Sequence, residues 1–130
     1  MRLSLLLVSI LAACGPAPAP PARTQVAATS DPRYRQTVDE LAAMNRQAKE
    51  LVQAGKSDAA AALIVKGEAL SKQLISVPRP TLEATEAASD VDELYGRMLL
   101  ANHNYGWARL LFQKNLARWK YWKPSLDATA

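Results

Sequence analysis

Residues 81–122 read TLEATEAASDVDELYGRMLLANHNYGWARLLFQKNLARWKYW, and this stretch predicts two helices joined by a tight turn. Thr81 suits a helix start because its hydroxyl can accept a bond from a free N–H group, and acidic residues follow where the helix dipole favours them. Asn102-His103-Asn104 predicts the turn, since Asn tolerates left-handed backbone geometry. A second helix follows from about Tyr105 to Trp122, so the short turn predicts an antiparallel hairpin. The inner side of the first helix is predicted at helical spacing: Ala84, Ala87, Val91, Leu94, Met98 and Ala101.

The preceding stretch predicts another hairpin. Ser30-Asp31-Pro32 supplies a capping residue with proline just inside the helix, and Gly55 predicts where this helix stops. A new helix starts at Ser57-Asp58, and Pro78-Arg79-Pro80 ends it because two prolines in three residues cannot continue a helix. The predicted inner positions are Tyr34, Val38, Leu41, Ala48 and Val52 in the first helix, and Leu63, Gly67, Leu70, Leu74 and Val77 in the second.

The predicted fold class is therefore all-α, with two antiparallel helical hairpins packed as a small four-helix bundle or as a tetratricopeptide-like pair. Gly96, Tyr105, Ala108 and Phe112 have the spacing of a tetratricopeptide hairpin, which this half resembles; the first half matches only at Gly55 and Ala60. In that family these residue types hold the two helices together. The halves are offset by 48 residues, from Ala60 to Ala108, whereas that repeat has about 34 and needs about three copies. A compact bundle is the favoured arrangement.

The first residues predict export. Met1-Arg2 gives a positive start, and the apolar run that follows is too short for a membrane-spanning helix, which needs about 20 residues. Leu11-Ala12-Ala13-Cys14 resembles the bacterial lipoprotein box. The resemblance implies cleavage before Cys14 and acylation of that residue, which would hold the protein on a lipid bilayer. The alternative is an ordinary signal peptide whose cleavage region contains a cysteine.

The chain accordingly divides into a signal peptide (residues 1–13), a lipidated Cys14 with an Ala/Pro-rich tether (residues 14–30) and a four-helix domain (residues 31–130). Prolines make the tether an extended spacer with a reach of at most about 50 Å, at ~3.1 Å per residue. Lipoproteins kept at the inner membrane often carry Asp after the cysteine, and this chain has Gly15. The expected location is the bacterial cell envelope, at the periplasmic face of the outer membrane.

Charges in the second hairpin predict pairing between its two helices. Glu83, Glu86, Asp90 and Glu93 share one side of the third helix. The fourth helix is basic and has no acidic residue. Folding the hairpin about His103 predicts three ion pairs: Glu93 with Lys114, Glu86 with Lys120 and Glu83 with Lys123.

The fourth helix has apolar residues on two sides. One side, assigned to the hairpin core, contains Ala108, Leu111, Phe112, Leu116, Trp119 and Trp122. The other contains Trp107, Leu110, Ala117 and Tyr121. The favoured interpretation is that the first hairpin covers this second side. The alternative is that it stays open as a surface for a partner.

No catalytic motif is recognisable. One cysteine and one histidine make a His/Cys metal site improbable, and the chain has no Gly-rich phosphate loop or Ser/His/Asp set. We therefore expect no enzyme activity, no cofactor and no metal. Basic and aromatic residues together suit single-stranded nucleic acid as well as membrane surfaces, but export and a net charge of only +4 argue against nucleic acid.

The predicted function is a non-catalytic interaction or scaffold module that binds an envelope protein. The alternative is a peripheral membrane-surface or cell-wall binding protein that uses its basic, aromatic last helix. The predicted partner-binding residues are Trp107, Leu110, Arg118, Trp119, Tyr121 and Trp122.

Overall fold

The computed structural model describes Gly15 and residues 28–123. A short 3₁₀ helix, Ala28–Ser30, precedes four α-helices: α1 (Pro32–Gln53), α2 (Ser57–Ile75), α3 (Leu82–Ala101) and α4 (Tyr105–Tyr121). These described ranges contain no strand. The all-α class and the two helical hairpins predicted from the sequence are confirmed.

The helix ends follow from local chemistry. The Asp31 side chain accepts a 2.9 Å hydrogen bond from the Arg33 backbone N–H, and the Thr81 hydroxyl accepts one of 3.2 Å from the Ala84 backbone N–H.

The turns inside both hairpins need a residue with left-handed backbone, which is Gly55 with φ 72° in the first and His103 with φ 61° in the second. Helix α2 ends at Ile75, before the predicted last position Val77, because the residues before a proline are biased away from helical geometry.

The core lies among α1, α2 and α3. Gly67 of α2 is needed where the three helices meet: a Cβ atom there would lie 3.0 Å from Val91 Cγ2 and 3.2 Å from Leu41 Cδ1. The buried Asn45 side chain donates a 2.8 Å hydrogen bond from Nδ2 to the Ala87 carbonyl, which ties α1 to α3. The largest buried apolar side chains of this core are Leu41, Ile64, Leu74 and Val91.

The backbone of helix α4 comes close only to that of α3. No Cα atom of α4 lies within 8 Å of one in α1 or α2, and Ala108 is the only fully buried residue of α4. The Phe112 ring fills the space beside Gly96, where a Cβ atom would lie 2.6 Å from the ring. The molecule is thus a three-helix core with α4 added on one side, and the first hairpin does not enclose α4.

This arrangement corrects several sequence expectations. The favoured interpretation, that the first hairpin covers the second apolar side of α4, is wrong. Leu116 was assigned to the hairpin core but is 71% exposed, since only one side of α4 meets α3. Val52, 40% exposed, and Ala101 lie near helix ends outside the core. Among the positions of the tetratricopeptide resemblance, Ala108 is buried and Phe112 contacts Gly96, whereas Tyr105 is 61% exposed.

Candidate functional site

Three of the residues predicted to bind a partner form one open surface. Trp107, Leu110 and Tyr121 are 69%, 57% and 73% exposed, and their spacing places them on one side of α4. We call this surface the side face. Large apolar side chains in water carry an unfavourable free energy of about 25 cal/mol per Å² that a partner could remove. The side face is therefore an uncovered apolar surface.

Arg118 does not belong to the side face. Its side chain is only 9% exposed, and Nη2 donates a 2.6 Å hydrogen bond to Oδ2 of Asp92, which is fully buried. Nη1 also donates to the Ser89 hydroxyl at 3.3 Å. The guanidinium points toward α3 because Asp92 offers it a carboxylate there. Arg118 therefore holds α4 on α3, and its position does not fit the predicted role in binding a partner.

The two C-terminal tryptophans are partly used within the domain. Trp119 and Trp122 lie with ring centroids 6.3 Å apart in a tilted arrangement. Trp122 is half-buried and donates a 3.2 Å hydrogen bond from Nε1 to the Pro80 carbonyl, while Trp119 remains 39% exposed. These rings close the end of the second hairpin and add little to the side face.

A group of four charged residues connects α2, α3 and α4, and we call it the buried charge cluster: Glu68, Asp92, Lys114 and Arg118. Lys114 Nζ donates to Asp92 Oδ1 at 2.9 Å and lies 3.9 Å from Glu68 Oε2. Glu68 Oε1 is buried without a hydrogen-bond partner. Burial raises the pKa of Glu68, and the neighbouring Asp92 carboxyl raises it further, against the attraction of Lys114.

The observed charge pairing differs from the three predicted pairs. Lys114 binds Asp92 instead of Glu93, and Glu93 pairs with Arg97 of its own helix at 2.6 Å. No ion pair joins Glu83 or Glu86 to α4 within residues 28–123. Asp92 and Lys114 both lie eleven positions from His103, but Glu86 and Lys120 are equally matched at seventeen, so position along the chain does not single out the pair that forms.

A second apolar surface lies on another side of α4. It forms a shallow depression that we call the end patch, lined by Leu100, Tyr105, Arg109, Phe112, Gln113 and Leu116. Leu116, Tyr105 and Leu100 are 71%, 61% and 42% exposed. The Tyr105 hydroxyl lies 2.8 Å from Nδ1 of His103 at the hairpin turn. The sequence prediction missed this surface because it placed Leu116 in the core.

Charged residues also border a cleft between α1 and α3. Arg46 and Lys49 line its α1 side, and Asp90, Glu93 and Arg97 line its α3 side. Burial raises the pKa of Asp90, and the neighbouring carboxylates of Glu93 and Glu86 raise it further, although Lys49 opposes them. The acidic stripe of α3 therefore faces this cleft and open solvent.

Neither a metal centre nor a membrane span is present in the described part of the chain. Across residues 28–123, no three His, Cys, Asp or Glu side chains are grouped as ligands of one ion would be. No helix in that range has the length and apolar character needed to span a bilayer. Cys14, the predicted lipidation site, and the signal peptide lie outside the described residues.

No family model, no curated protein and no solved structure matches this chain.

Proposed function

We propose that this chain is a bacterial envelope lipoprotein, anchored in the outer membrane through acylated Cys14, whose helical domain is a non-catalytic interaction module. The Leu11-Ala12-Ala13-Cys14 motif supports the anchor. The side face supports the binding role. In this proposal the Ala/Pro-rich tether lets the domain reach a partner in the periplasm away from the lipid surface.

The observation that carries the binding role is the exposure of Trp107 and Tyr121, at 69% and 73%. Tryptophan and tyrosine are the side chains most enriched where proteins bind one another, because each buries a large area at a low cost in conformational entropy. Leu110 lies beside them and enlarges the apolar surface. A groove-shaped or helical partner surface would cover all three residues at once.

Charge further defines the partner. Helix α4 has no acidic residue, and Arg109, Lys120 and Lys123 are exposed cations around its apolar residues. Lys120 Nζ lies 5.4 Å from the centre of the Tyr121 ring. A partner whose apolar contact is bordered by acidic residues would complement this surface and exclude basic proteins. The proposed partner is therefore an acidic envelope protein.

The anchor is tested by labelling. Cells expressing the full chain are grown with radioactive palmitate, beside a Cys14→Ser variant and an Ala13→Gly variant that keeps a small residue before the cysteine. We expect label on the wild type and on Ala13→Gly, and none on Cys14→Ser. Label retained by Cys14→Ser would contradict acylation at this residue.

The binding surface is tested by photo-crosslinking in living cells. A photoreactive phenylalanine analogue replaces Trp107 or Tyr121 in the full chain, and Val65 of α2, which is 69% exposed, serves as the matched control position. We expect one discrete protein adduct from both α4 positions and none from position 65. Equal adducts from all three positions, or none from α4, would contradict a partner at the side face.

A bilayer surface is the second candidate, and the cations of α4 beside its aromatic residues favour it. The test uses the chain from Gly15 onward, which retains every described contact, with vesicles containing about 30% anionic lipid and with neutral vesicles. Binding only to anionic vesicles, lost in about 0.5 M salt and in a Trp107→Ala/Tyr121→Ala variant, would support the membrane surface. Absence of vesicle binding would leave the acidic protein partner.

A further inference from the structure

The cleft between α1 and α3 has the size of a small-molecule site. It encloses about 480 Å³, and pockets that hold small ligands enclose about 300–1,000 Å³. Ala42, Val52 and Leu94 give the cleft an apolar lining, and charged side chains border it on both sides. A ligand that fits this lining is apolar in one part and charged in another.

The opposite charges on the two sides of the cleft do not pair across it. Arg46 and Lys49 of α1 form no ion pair within residues 28–123, and neither does Asp90 of α3. The remaining charged residues of the lining, Glu93 and Arg97, neutralise each other at 2.6 Å. In this part of the chain the cleft therefore presents two unpaired cations on one side and one unpaired carboxylate on the other.

The register of the helices places the charges of Lys49 and Asp90 at one level. The Asn45 side chain is bonded to the Ala87 carbonyl, and from there α1 and α3 run in the same direction because the antiparallel α2 separates them along the chain. Lys49 lies four positions after Asn45, and Asp90 lies three positions after Ala87. Lys49 acts electrostatically on the Asp90 carboxyl, although the two groups are too far apart to form an ion pair. A gap between opposite charges therefore crosses the width of the cleft.

The apolar part of the lining lies beside this gap. Val52 and Leu94 lie three and four positions beyond Lys49 and Asp90, which is about 5 Å further along the helices at 1.5 Å per residue. A matching ligand has an ammonium group and an anionic group close together at one end and an aliphatic group at the other. An α-amino acid has this arrangement, because both of its charged groups are bonded to the same carbon atom.

We propose that the cleft between α1 and α3 binds a free α-amino acid with an aliphatic side chain. The ammonium group of the ligand lies against Asp90, and its carboxylate lies against Lys49 and Arg46. The aliphatic side chain extends between Val52 and Leu94. The site is separate from the side face and does not depend on the lipid anchor, because all of its residues belong to α1 and α3.

The setting of Asp90 favours a cationic group on the ligand. Burial raises the pKa of Asp90, the carboxylates of Glu93 and Glu86 raise it further, and Lys49 only partly opposes them. An ammonium group beside Asp90 would stabilise its ionised form. A ligand of one charge sign would be attracted to one side of the cleft and repelled by the other, so the mixed lining selects a ligand that carries both charges.

The proposal is tested by NMR with the isotope-labelled chain from Gly15 onward, which contains every described residue. The probe is L-leucine. Two matched probes each lack one charge: N-acetylleucine has no ammonium group, and leucinamide has no carboxylate. The charged side chains of the cleft are exposed, so we expect weak binding of leucine, with a Kd of about 1 mM.

Leucine should shift the amide signals of Asn45, Lys49 and Leu94, and it should bind about tenfold more tightly than either matched probe. Equal shifts from all three probes would overturn the proposal, as would the absence of any shift at about 20 mM leucine. Phosphoethanolamine, the headgroup of a zwitterionic lipid, has an ammonium and an anionic group but no aliphatic side chain. Tighter binding of phosphoethanolamine than of leucine would overturn the assignment of an amino acid.

Substitutions in the cleft test the role of each charge. Asp90→Asn and Lys49→Gln should each weaken leucine binding several-fold, because each removes the counter-charge of one ligand group. The controls make the same kinds of change at exposed positions outside the cleft, Glu50→Gln and Lys66→Gln, and should leave binding unchanged. The amide spectrum of each variant reports whether it is folded. Binding that Asp90→Asn and Lys49→Gln leave intact, or that the controls weaken equally, would overturn the proposed site.

Discussion

The guanidinium of Arg118 donates a 2.6 Å hydrogen bond to the carboxylate of Asp92, and this pair joins α4 to α3 inside the protein. Asp92 is fully buried and also accepts from Lys114 at 2.9 Å. Because α4 meets only α3 through its backbone, these bonds carry much of the specificity with which α4 docks. They also leave the side face and the end patch on the outside of the helix.

Replacing Asp92 by Asn should destabilise the domain strongly. The change leaves the buried Arg118 without its counter-charge and Lys114 with Glu68 alone, and removal of one partner of a buried ion pair costs about 3–5 kcal/mol. The measurement is urea denaturation of the chain from Gly15 onward, followed by circular dichroism. Glu86→Gln, an exposed acid-to-amide change in the same helix, should alter the free energy of unfolding by less than about 0.5 kcal/mol. Equal effects of the two changes would show that the Asp92 pairs contribute no net stability.

Glu68 should make stability fall as pH rises. Burial raises the pKa of its carboxyl above the ordinary 4.5, so the folded chain binds a proton that the unfolded chain has already released. The stabilising contribution of the protonated form is complete below pH 4.5 and is lost as pH rises through the folded-state pKa. A Glu68→Gln variant, which is neutral throughout, should avoid this loss.

The test compares the free energies of unfolding of wild type and Glu68→Gln at about pH 4 and about pH 7. We expect the variant to gain stability relative to the wild type as pH increases. Asp90, whose pKa is also raised, is present in both proteins, so its contribution cancels. A difference that is independent of pH, or that shrinks as pH rises, would show that the Glu68 pKa is not raised.

Alanine substitutions at two glycines of the second hairpin should have different effects on the free energy of unfolding. A Cβ atom at Gly96 would lie 2.6 Å from the Phe112 ring, and displacing that ring should lower the free energy of unfolding by about 1–3 kcal/mol. At Gly106 a Cβ atom meets nothing within 4 Å, so alanine should be neutral or should stabilise α4 by up to about 1 kcal/mol through its higher helix propensity. Thermal and urea denaturation of both variants measure this contrast. Loss of stability in Gly106→Ala alone would mean that the contact between α3 and α4 differs from the one described.

The side-face residues should be dispensable for folding. Trp107→Ala and Tyr121→Ala remove side chains that are 69% and 73% exposed, so each should change the free energy of unfolding by less than about 0.5 kcal/mol. Leu41→Ala, in the buried core, should cost about 2–5 kcal/mol in the same assay. A loss of several kcal/mol from Trp107→Ala would indicate that this ring is buried within the chain.

The sequence by itself determined the helices and their ends. Asp31, Thr81, Gly55 and the prolines after α2 act through local backbone chemistry, which needs no knowledge of the rest of the fold. The spacing of apolar residues also identified much of the side of α1, α2 and α3 that forms the core, although α3 buries a second side against α4.

Only the tertiary structure decided what covers α4. Periodicity shows that a side of a helix is apolar, but it does not say whether another element packs there. For this reason the sequence predicts covered surfaces at Leu116 and Trp107, which the structure leaves exposed. The three predicted ion pairs between α3 and α4 are wrong for a related reason. The exposed acids Glu86 and Glu93 lie about as many positions from the turn as Lys120 and Lys114 do. The direction of each acidic side chain decides whether it reaches α4. Asp92 points into the hairpin, where low polarity strengthens its bonds to Lys114 and Arg118, and no count of residues along the chain reveals that direction.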